Sequence, residues 1–210
     1  MGFSAIRGAL LKGKRPFSNR KKCYNDDEAI YMENILDFVH LMIHRHLDPA
    51  SIAIDATMGN GHDTLMLSKH ADEVFAFDVQ KSALEATRQR LETHGRNNVR
   101  LIQDSHANMY VYVAGGVSVI VFNFGYLPGG DKTLTTTKAA SLDAVKQSLE
   151  LLKEGGLLAL TFYPGHEEGA KEAALIEPYL ATLDPHHFSV LNYRFINRRN
   201  SPYSIFVKKH

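Results

Sequence analysis

Ile52-Ala53-Ile54-Asp55-Ala56-Thr57-Met58-Gly59-Asn60-Gly61-His62-Asp63-Thr64 decides the fold. Apolar residues run into an acidic one, then a glycine-rich turn, then a helix start. That order is how the first buried strand of an open α/β sheet presents a nucleotide-like ligand to a following helix.

Outward from it, element types alternate. Upstream, Ile35, Phe38, Val39, Met42, Ile43 and Leu47 recur at helical spacing, so Ala29–Leu47 is predicted as an amphipathic helix ended by Asp48-Pro49. Ser51–Asp55 reads as a strand and Asp63–His70 as a helix. Glu73–Asp78 is the second strand, and Lys81–His94 a helix closed by Gly95. Val99–Gln103 is the third strand, followed by a short helix over His106–Val113. Val117–Asn123, Lys138–Lys153, Gly156–Phe162 and Glu167–Leu183 read as strand, helix, strand and helix. Phe188–Asn197 and Ser204–Lys208 form a hairpin around Arg198-Arg199-Asn200-Ser201-Pro202. The expected fold is α/β and Rossmann-like. It has a mostly parallel seven-stranded sheet, an antiparallel C-terminal hairpin at one edge, and helices on both faces.

With 210 residues, 44% hydrophobic and 22% charged, the chain has the composition of one soluble globular domain. Its single cysteine, Cys23, excludes a disulfide framework or a cysteine zinc site within one chain and fits a reducing, cytoplasmic setting. No apolar run reaches the ~20 residues of a membrane span. Residues 1–22 carry Arg7, Lys12, Lys14, Arg15, Arg20, Lys21 and Lys22 without an acid. The last seventeen carry Arg194, Arg198, Arg199, Lys208 and Lys209, also without one. Basic ends on a near-neutral body suit a polyanion; solvated lysines guarding a sheet edge are the plainer reading. Residues 1–28 read as a basic, disordered extension and 29–210 as the domain; a start codon placed too early, with Met32 opening the folded part, and an organelle transit peptide are the other readings.

A doubly wound sheet puts its crevice at the carboxyl ends of strands one and four, so the informative loops start at Asp55, Asp78, Asp104 and Asn123. The first is no dinucleotide fingerprint: Asp55, Thr57, Gly59, Asn60, Gly61, Asp63 and Thr64 place an acid ahead of the glycines. A carboxylate there repels phosphate and suits an ammonium or sulfonium. S-adenosylmethionine carries both and has no phosphate. Asp78, with Gln80 beyond it, is placed to accept ribose hydroxyls, and Asp104-Ser105 lies where an adenine amino group needs an acceptor. Each acid alone reads equally as a helix cap or turn former; acids at three successive strand ends favour the cofactor.

After strand four comes Asn123-Phe124-Gly125-Tyr126-Leu127-Pro128-Gly129-Gly130-Asp131-Lys132. Asn-x-x-Tyr here echoes the Asn-Pro-Pro-Tyr loop of amino-group methyltransferases. A side-chain carbonyl accepts the hydrogens of a substrate amine, and an aromatic face stabilises the transient cation. An alkylamine arrives protonated, and His106, Asp131 and His166 are the candidate acceptors. Lys132 is placed to meet phosphate. Tyr163-Pro164-Gly165-His166 lies across the same crevice. His40 and His44 read as surface or packing residues, because no carboxylate completes a metal motif; no metal is expected.

The runs Asp55–Thr64, Phe77-Asp78-Val79-Gln80 and Asn123–Lys132 closely resemble the bacterial proteins long labelled rRNA methylases. These are understood as tRNA 5-aminomethyl-2-thiouridine methyltransferases, a class I S-adenosylmethionine-dependent family. The resemblance runs from about Met32 to the C-terminus. It implies methylation of the aminomethyl group on wobble 2-thiouridine, with the tRNA anticodon stem-loop as partner. It also implies cofactor contacts at Asn60, Asp63, Asp78, Gln80, Ser105 and His106. Tyr126 or Tyr163 would stack the splayed base, and the hairpin with Arg198, Arg199, Tyr193, Phe195 and Tyr203 would hold the stem backbone. Asn200-Ser201-Pro202 departs from the family's Asn-Pro-Pro, and Thr133–Ser141 lacks its usual acid. Ribosomal RNA or a small-molecule amine is the alternative acceptor. The sequence leaves room for a homodimer.

Overall fold

The computed structural model describes residues 34–125 and 138–210. The basic N-terminal residues and residues 126–137, with Tyr126, Asp131 and Lys132, lie outside the described residues.

Asn34 caps the first helix, α1 (Ile35–His44), its side chain accepting from the Leu36 N–H at 3.0 Å. The i, i+4, i+8 set Ile35, Val39 and Ile43 is buried. β1 (Ile52–Asp55), α2 (His62–Ser68), β2 (Glu73–Phe77), α3 (Lys81–Thr93) and β3 (Val99–Ile102) follow. A 3₁₀ turn at His106–Asn108 runs into α4 (Met109–Tyr112). Then come β4 (Val117–Phe124), α5 (Lys138–Leu151), β5 (Leu152–Phe162), α6 (Glu167–Leu180), β6 (Phe188–Tyr193) and β7 (Tyr203–Lys209).

The sheet order is β3-β2-β1-β4-β5-β7-β6. β1 lies between β2 and β4 and is parallel to both, so the chain reverses its direction of travel across the sheet at β1. This is the switch point at which such folds bind ligands. Two layers cover the sheet. Leu67 and Ala71 join α1's Val39 and Ile43 over Val119, Val121, Leu157 and Phe206, while Leu84 of α3 meets Met58 and Ala76. On the other face Met109, Val145, Leu149, Ile176 and Leu180 from α4, α5 and α6 close over Phe122, Leu158 and Leu160. There Phe122, Phe124, Phe162 and Tyr203 stack in series at centroid separations of 5.2, 5.1 and 5.3 Å. Each such pair is worth about 0.5–1.5 kcal/mol beyond its buried area. The ladder braces the ends of β4 and β5, where the crevice opens.

The C-terminal hairpin lies at one edge of the sheet, as expected, and the structure adds its order: β7, antiparallel to both neighbours, inserts between β5 and β6. The reason is burial on both faces. Tyr203, Ser204, Ile205, Phe206 and Val207 are all buried, whereas β6 leaves Val190 and Leu191 exposed and forms the edge. Lys209 is no solvated guard. Its Nζ donates to the carbonyls of Leu149 (2.9 Å) and Leu152 (2.8 Å), capping the C-terminal end of α5. β6 also stops at Tyr193, four residues short of the predicted end, and 194–202 forms the connection. β5 starts at Leu152, inside the predicted helix, with a bulge opposite Val117 and Val119.

Candidate functional site

The loop after β1 is built by its own polar side chains. The Ala56 N–H donates to the Val121 carbonyl (2.9 Å) and the Met58 N–H to the Phe77 carbonyl (3.0 Å), tying the loop's start to both neighbouring strands. Gly61 then turns the chain at φ +75 into α2, with its Cα against Thr87 of α3. No other residue type accepts both that dihedral and that contact.

Asp55 turns inward and does not face the crevice, which corrects its expected contact with a ligand's charge. It is 0% exposed; one oxygen accepts from the Thr64 hydroxyl (2.6 Å), the other from the Thr57 N–H (3.2 Å). Burial and the neighbouring Asp63 charge push its carboxyl up to about 7. Asp55 and the fully buried Thr64 therefore shape the loop, a role that an isolated Asp-x-Thr pattern does not distinguish from ligand contact.

Asp63, in the first turn of α2, is the acid that meets the end of β4. One of its oxygens lies 3.0 Å from His40 Nε2, and the other accepts from Asn123 Nδ2 at 2.7 Å. The Asn123 backbone N–H donates to Thr57 Oγ1 at 2.8 Å. Burial pushes Asp63 up, but the hydrogen bond and charge of His40, with Asn123 behind them, hold it below the usual carboxylate range. A carboxylate only accepts, so Asn123 must present its amide nitrogen to Asp63 and its carbonyl oxygen elsewhere. His40 was missed by the sequence reading: the helical spacing of α1 gives no sign of a partner twenty-three residues away.

Asp78, half-buried at the end of β2, accepts from the Gly59 N–H (3.1 Å) and the Gln80 N–H (2.9 Å). Burial pushes its carboxyl upward. Asp104 is committed locally, to the Ser105 N–H, Asn108 and the Tyr112 hydroxyl at 2.7, 2.8 and 2.9 Å. Ser105 Oγ caps the next turn by accepting from the Ala107 N–H. His106 is buried. Its Nδ1–H donates to the Ala56 carbonyl (3.2 Å), which makes Nε2 an acceptor, and Nε2 has no partner among the described residues. Burial pushes the ring down to about 4, so it is neutral near pH 7 and a weak proton acceptor. That removes it from the expected acceptors of a substrate proton.

Asn60 is exposed, its carbonyl held by Arg90 Nε at 2.7 Å. Tyr163 meets the same crevice from β5. Its N–H donates to the Phe124 carbonyl (3.2 Å), and burial and the Asp63 charge raise its hydroxyl. His166 opens α6. Arg198 and Arg199 are exposed on the β6–β7 connection, with the Arg198 guanidinium 4.1 Å from the Phe195 ring centroid. Tyr193 and Tyr203 do not face outward as expected of RNA contacts: Tyr193 stacks on Phe38 at 4.1 Å, and the Tyr203 hydroxyl bonds Glu177.

A β1 loop rich in carboxylates and glycine, an asparagine at the end of β4 and an inserted antiparallel β7 together define a Rossmann-like class I methyltransferase. That class takes its methyl group from S-adenosylmethionine. The chain belongs to the family described as "Putative rRNA methylase", which matches residues 74–209. It is 31% identical over 187 residues to the chloroplastic tRNA (mnm(5)s(2)U34)-methyltransferase of Arabidopsis thaliana, covering 82% of this chain and 68% of that one. It is also similar to a solved "putative methyltransferase" of Streptococcus mutans in complex with SAH. The identity there is 39% and the TM-score 0.80, over 86% of this chain and all of that one. A solved "putative rRNA-methylase" of Clostridium thermocellum gives 32% identity and a TM-score of 0.82 over the same shares. No described helix is long and apolar enough to cross a membrane.

Proposed function

We propose that this protein transfers a methyl group from S-adenosylmethionine to the 5-aminomethyl group of wobble 2-thiouridine in tRNA, giving 5-methylaminomethyl-2-thiouridine. The observation that carries the reading is the fixed amide of Asn123. With Nδ2 bound by Asp63, its carbonyl is left as a directed acceptor for substrate amine hydrogens. The name of the Arabidopsis relative supports the same acceptor.

The residues of the crevice fit the methyl donor. The buried acceptor at His106 Nε2 has no donor among the described residues, and a bound ligand would supply one. Asp63 and Asp78 supply negative charge beside a loop that offers no phosphate cradle, which suits a cationic sulfur. Asp63, Asp78, Gln80, Asn60, Ser105 and His106 are the residues that would hold it. Thr57, Gly59, Gly61 and, at one remove, Asp55, Thr64 and Asp104 shape the cradle. When bound, S-adenosylmethionine supplies an electrophilic methyl group for an amine lone pair.

The chain's own work is orientation and charge. Asn123 aims the amine through its carbonyl, and Tyr126 and Tyr163 offer aromatic faces for the splayed base. Asp131 and His166 remain the acceptors for the proton that an alkylammonium must lose. Lys132, Arg198 and Arg199 meet the phosphates of the anticodon stem-loop. A lone cysteine suits a reducing compartment, so the proposed setting is the cytoplasm.

The test is methylation by purified protein of tRNA carrying the unmethylated aminomethyl nucleoside, read by nucleoside mass spectrometry. We expect one methyl per wobble nucleoside, lowered about a hundredfold by Asn123→Ala. Methylation of ribosomal RNA instead, with tRNA untouched, would overturn the proposed acceptor.

A further inference from the structure

We propose that His40 is a positioning residue for the reaction: through Asp63 it fixes the amide of Asn123, linking α1 to the amine-binding end of β4. The inference rests on the reading of Asn123 as the amine acceptor.

Three side chains from three elements form one line, His40 Nε2 to Asp63 at 3.0 Å and Asp63 to Asn123 Nδ2 at 2.7 Å. Charge states settle the proton positions. Asp63 is a carboxylate and accepts only, so His40 must donate from Nε2–H. Its imidazole, 32% exposed in its side chain, stands between the carboxylate and solvent, while the Asp63 side chain is 17% exposed. With one oxygen held by His40, the other is aimed at Asn123. An untethered aspartate would rotate, and the Asn123 amide would be free to flip and present N–H to an amine that needs an acceptor.

The groups facing Asp63 make His40 the decisive partner. From α1 comes His40, from its own helix His62, from β1 Asp55, and from the segment after β5 Tyr163. Asp55 disfavours a second negative charge nearby, and the His62 ring is turned to Arg90, whose Nη2 donates to its Nε2 at 3.1 Å. Removing His40 takes away the strongest opponent of burial, so the Asp63 carboxyl moves up toward protonation. A protonated Asp63 would carry a donor where Asn123 now donates, and the grip on the amide would fail.

Full-length wild type, H40A and H40Q would be compared, because glutamine keeps an N–H donor without the ring. Side-chain amide NMR of 15N-asparagine-labelled protein, with Asn123 assigned through Asn123→Ala, reports the titration of Asp63 without any substrate. We expect the acid midpoint of the Asn123 resonances to rise by about one pH unit or more in H40A, with H40Q between. With substrate tRNA, kcat of H40A should fall about tenfold at pH 7, its acid limb rising with the NMR midpoint. KM for tRNA should stay within about twofold and H40Q should recover most of kcat. An unmoved NMR midpoint in H40A overturns the proposal, as does a moved midpoint with an unchanged kcat and acid limb. A wild-type protein that leaves tRNA unmethylated overturns the reading of substrate instead, and the NMR midpoint still judges the His40–Asp63–Asn123 link.

Discussion

Replacing Gly61 with alanine separates the two constraints that shape the cofactor loop. A Cβ there would lie 2.7 Å from Thr87 Oγ1, 2.8 Å from its Cγ2 and 3.0 Å from its Cα, on a residue at φ +75. Left-handed backbone costs an alanine about 1–2 kcal/mol, and overpacking of this kind about 1–3 kcal/mol. The sum, about 2–5 kcal/mol, would lower the melting temperature of a chain of this size by roughly 4–20 °C. Gly95 isolates the first contribution: it sits at φ +61 with nothing within 4 Å, so Gly95→Ala should cost only about 1–2 kcal/mol. Thr87→Ala isolates the second. It removes Oγ1 and Cγ2 but leaves the Cα, and loses the bond to the Gly59 carbonyl (3.0 Å), worth about 1 kcal/mol. In that background Gly61→Ala should be about 1–2 kcal/mol less costly than in the wild type. Urea denaturation followed by far-UV circular dichroism measures the four variants against the wild type. Equal costs for Gly61→Ala and Gly95→Ala, or strict additivity with Thr87→Ala, would show that Thr87 does not crowd position 61.

Asp55 predicts a pH dependence. Its folded pKa, about 7, lies above the ordinary 3.8, so its contribution to stability is complete below about pH 4 and is lost as pH rises through 7. Asp55→Asn should therefore flatten the fall in stability between pH 5 and 8, measured by denaturation across that range; an unchanged slope would exclude Asp55 as its source. Lys209→Met should destabilise by about 1–2 kcal/mol, because the carbonyls of Leu149 and Leu152 lose their cationic cap. Lys208→Met, exposed beside it, is the control and should stay within about 0.5 kcal/mol.

What the sequence made legible was whatever rests on local pattern. The strand-loop-helix at Asp55–Thr64 and the strand-end acids Asp78 and Asp104 are local signals, and their elements form within a few residues of the predicted bounds. The position of β7 was not legible, since a hairpin pattern fixes that β6 and β7 pair, not which of them meets β5. Only the burial of both faces of β7 decides that. The site divides in the same way. Asn123 announces itself by its place at the end of β4, but its orientation depends on Asp63, and Asp63 depends on His40, two contacts that cross between elements. Conversely Asp55 shares the residue type and place of a ligand contact, and only its full burial reveals that it serves the loop.

The insertion of β7 also dictates how the chain meets the ribosome. Both strands that it joins are translated before it, so during synthesis β5 keeps an open outer edge and β6 has no partner in the sheet. Unpaired strand edges on a growing chain invite association with other chains. The nascent protein is therefore exposed to aggregation until residues 203–209 emerge and bond to both neighbours in one step. A stalled or frameshifted product ending before Tyr203 would keep the whole glycine loop and its acids yet leave that sheet open, which makes it a natural client for chaperones and proteases.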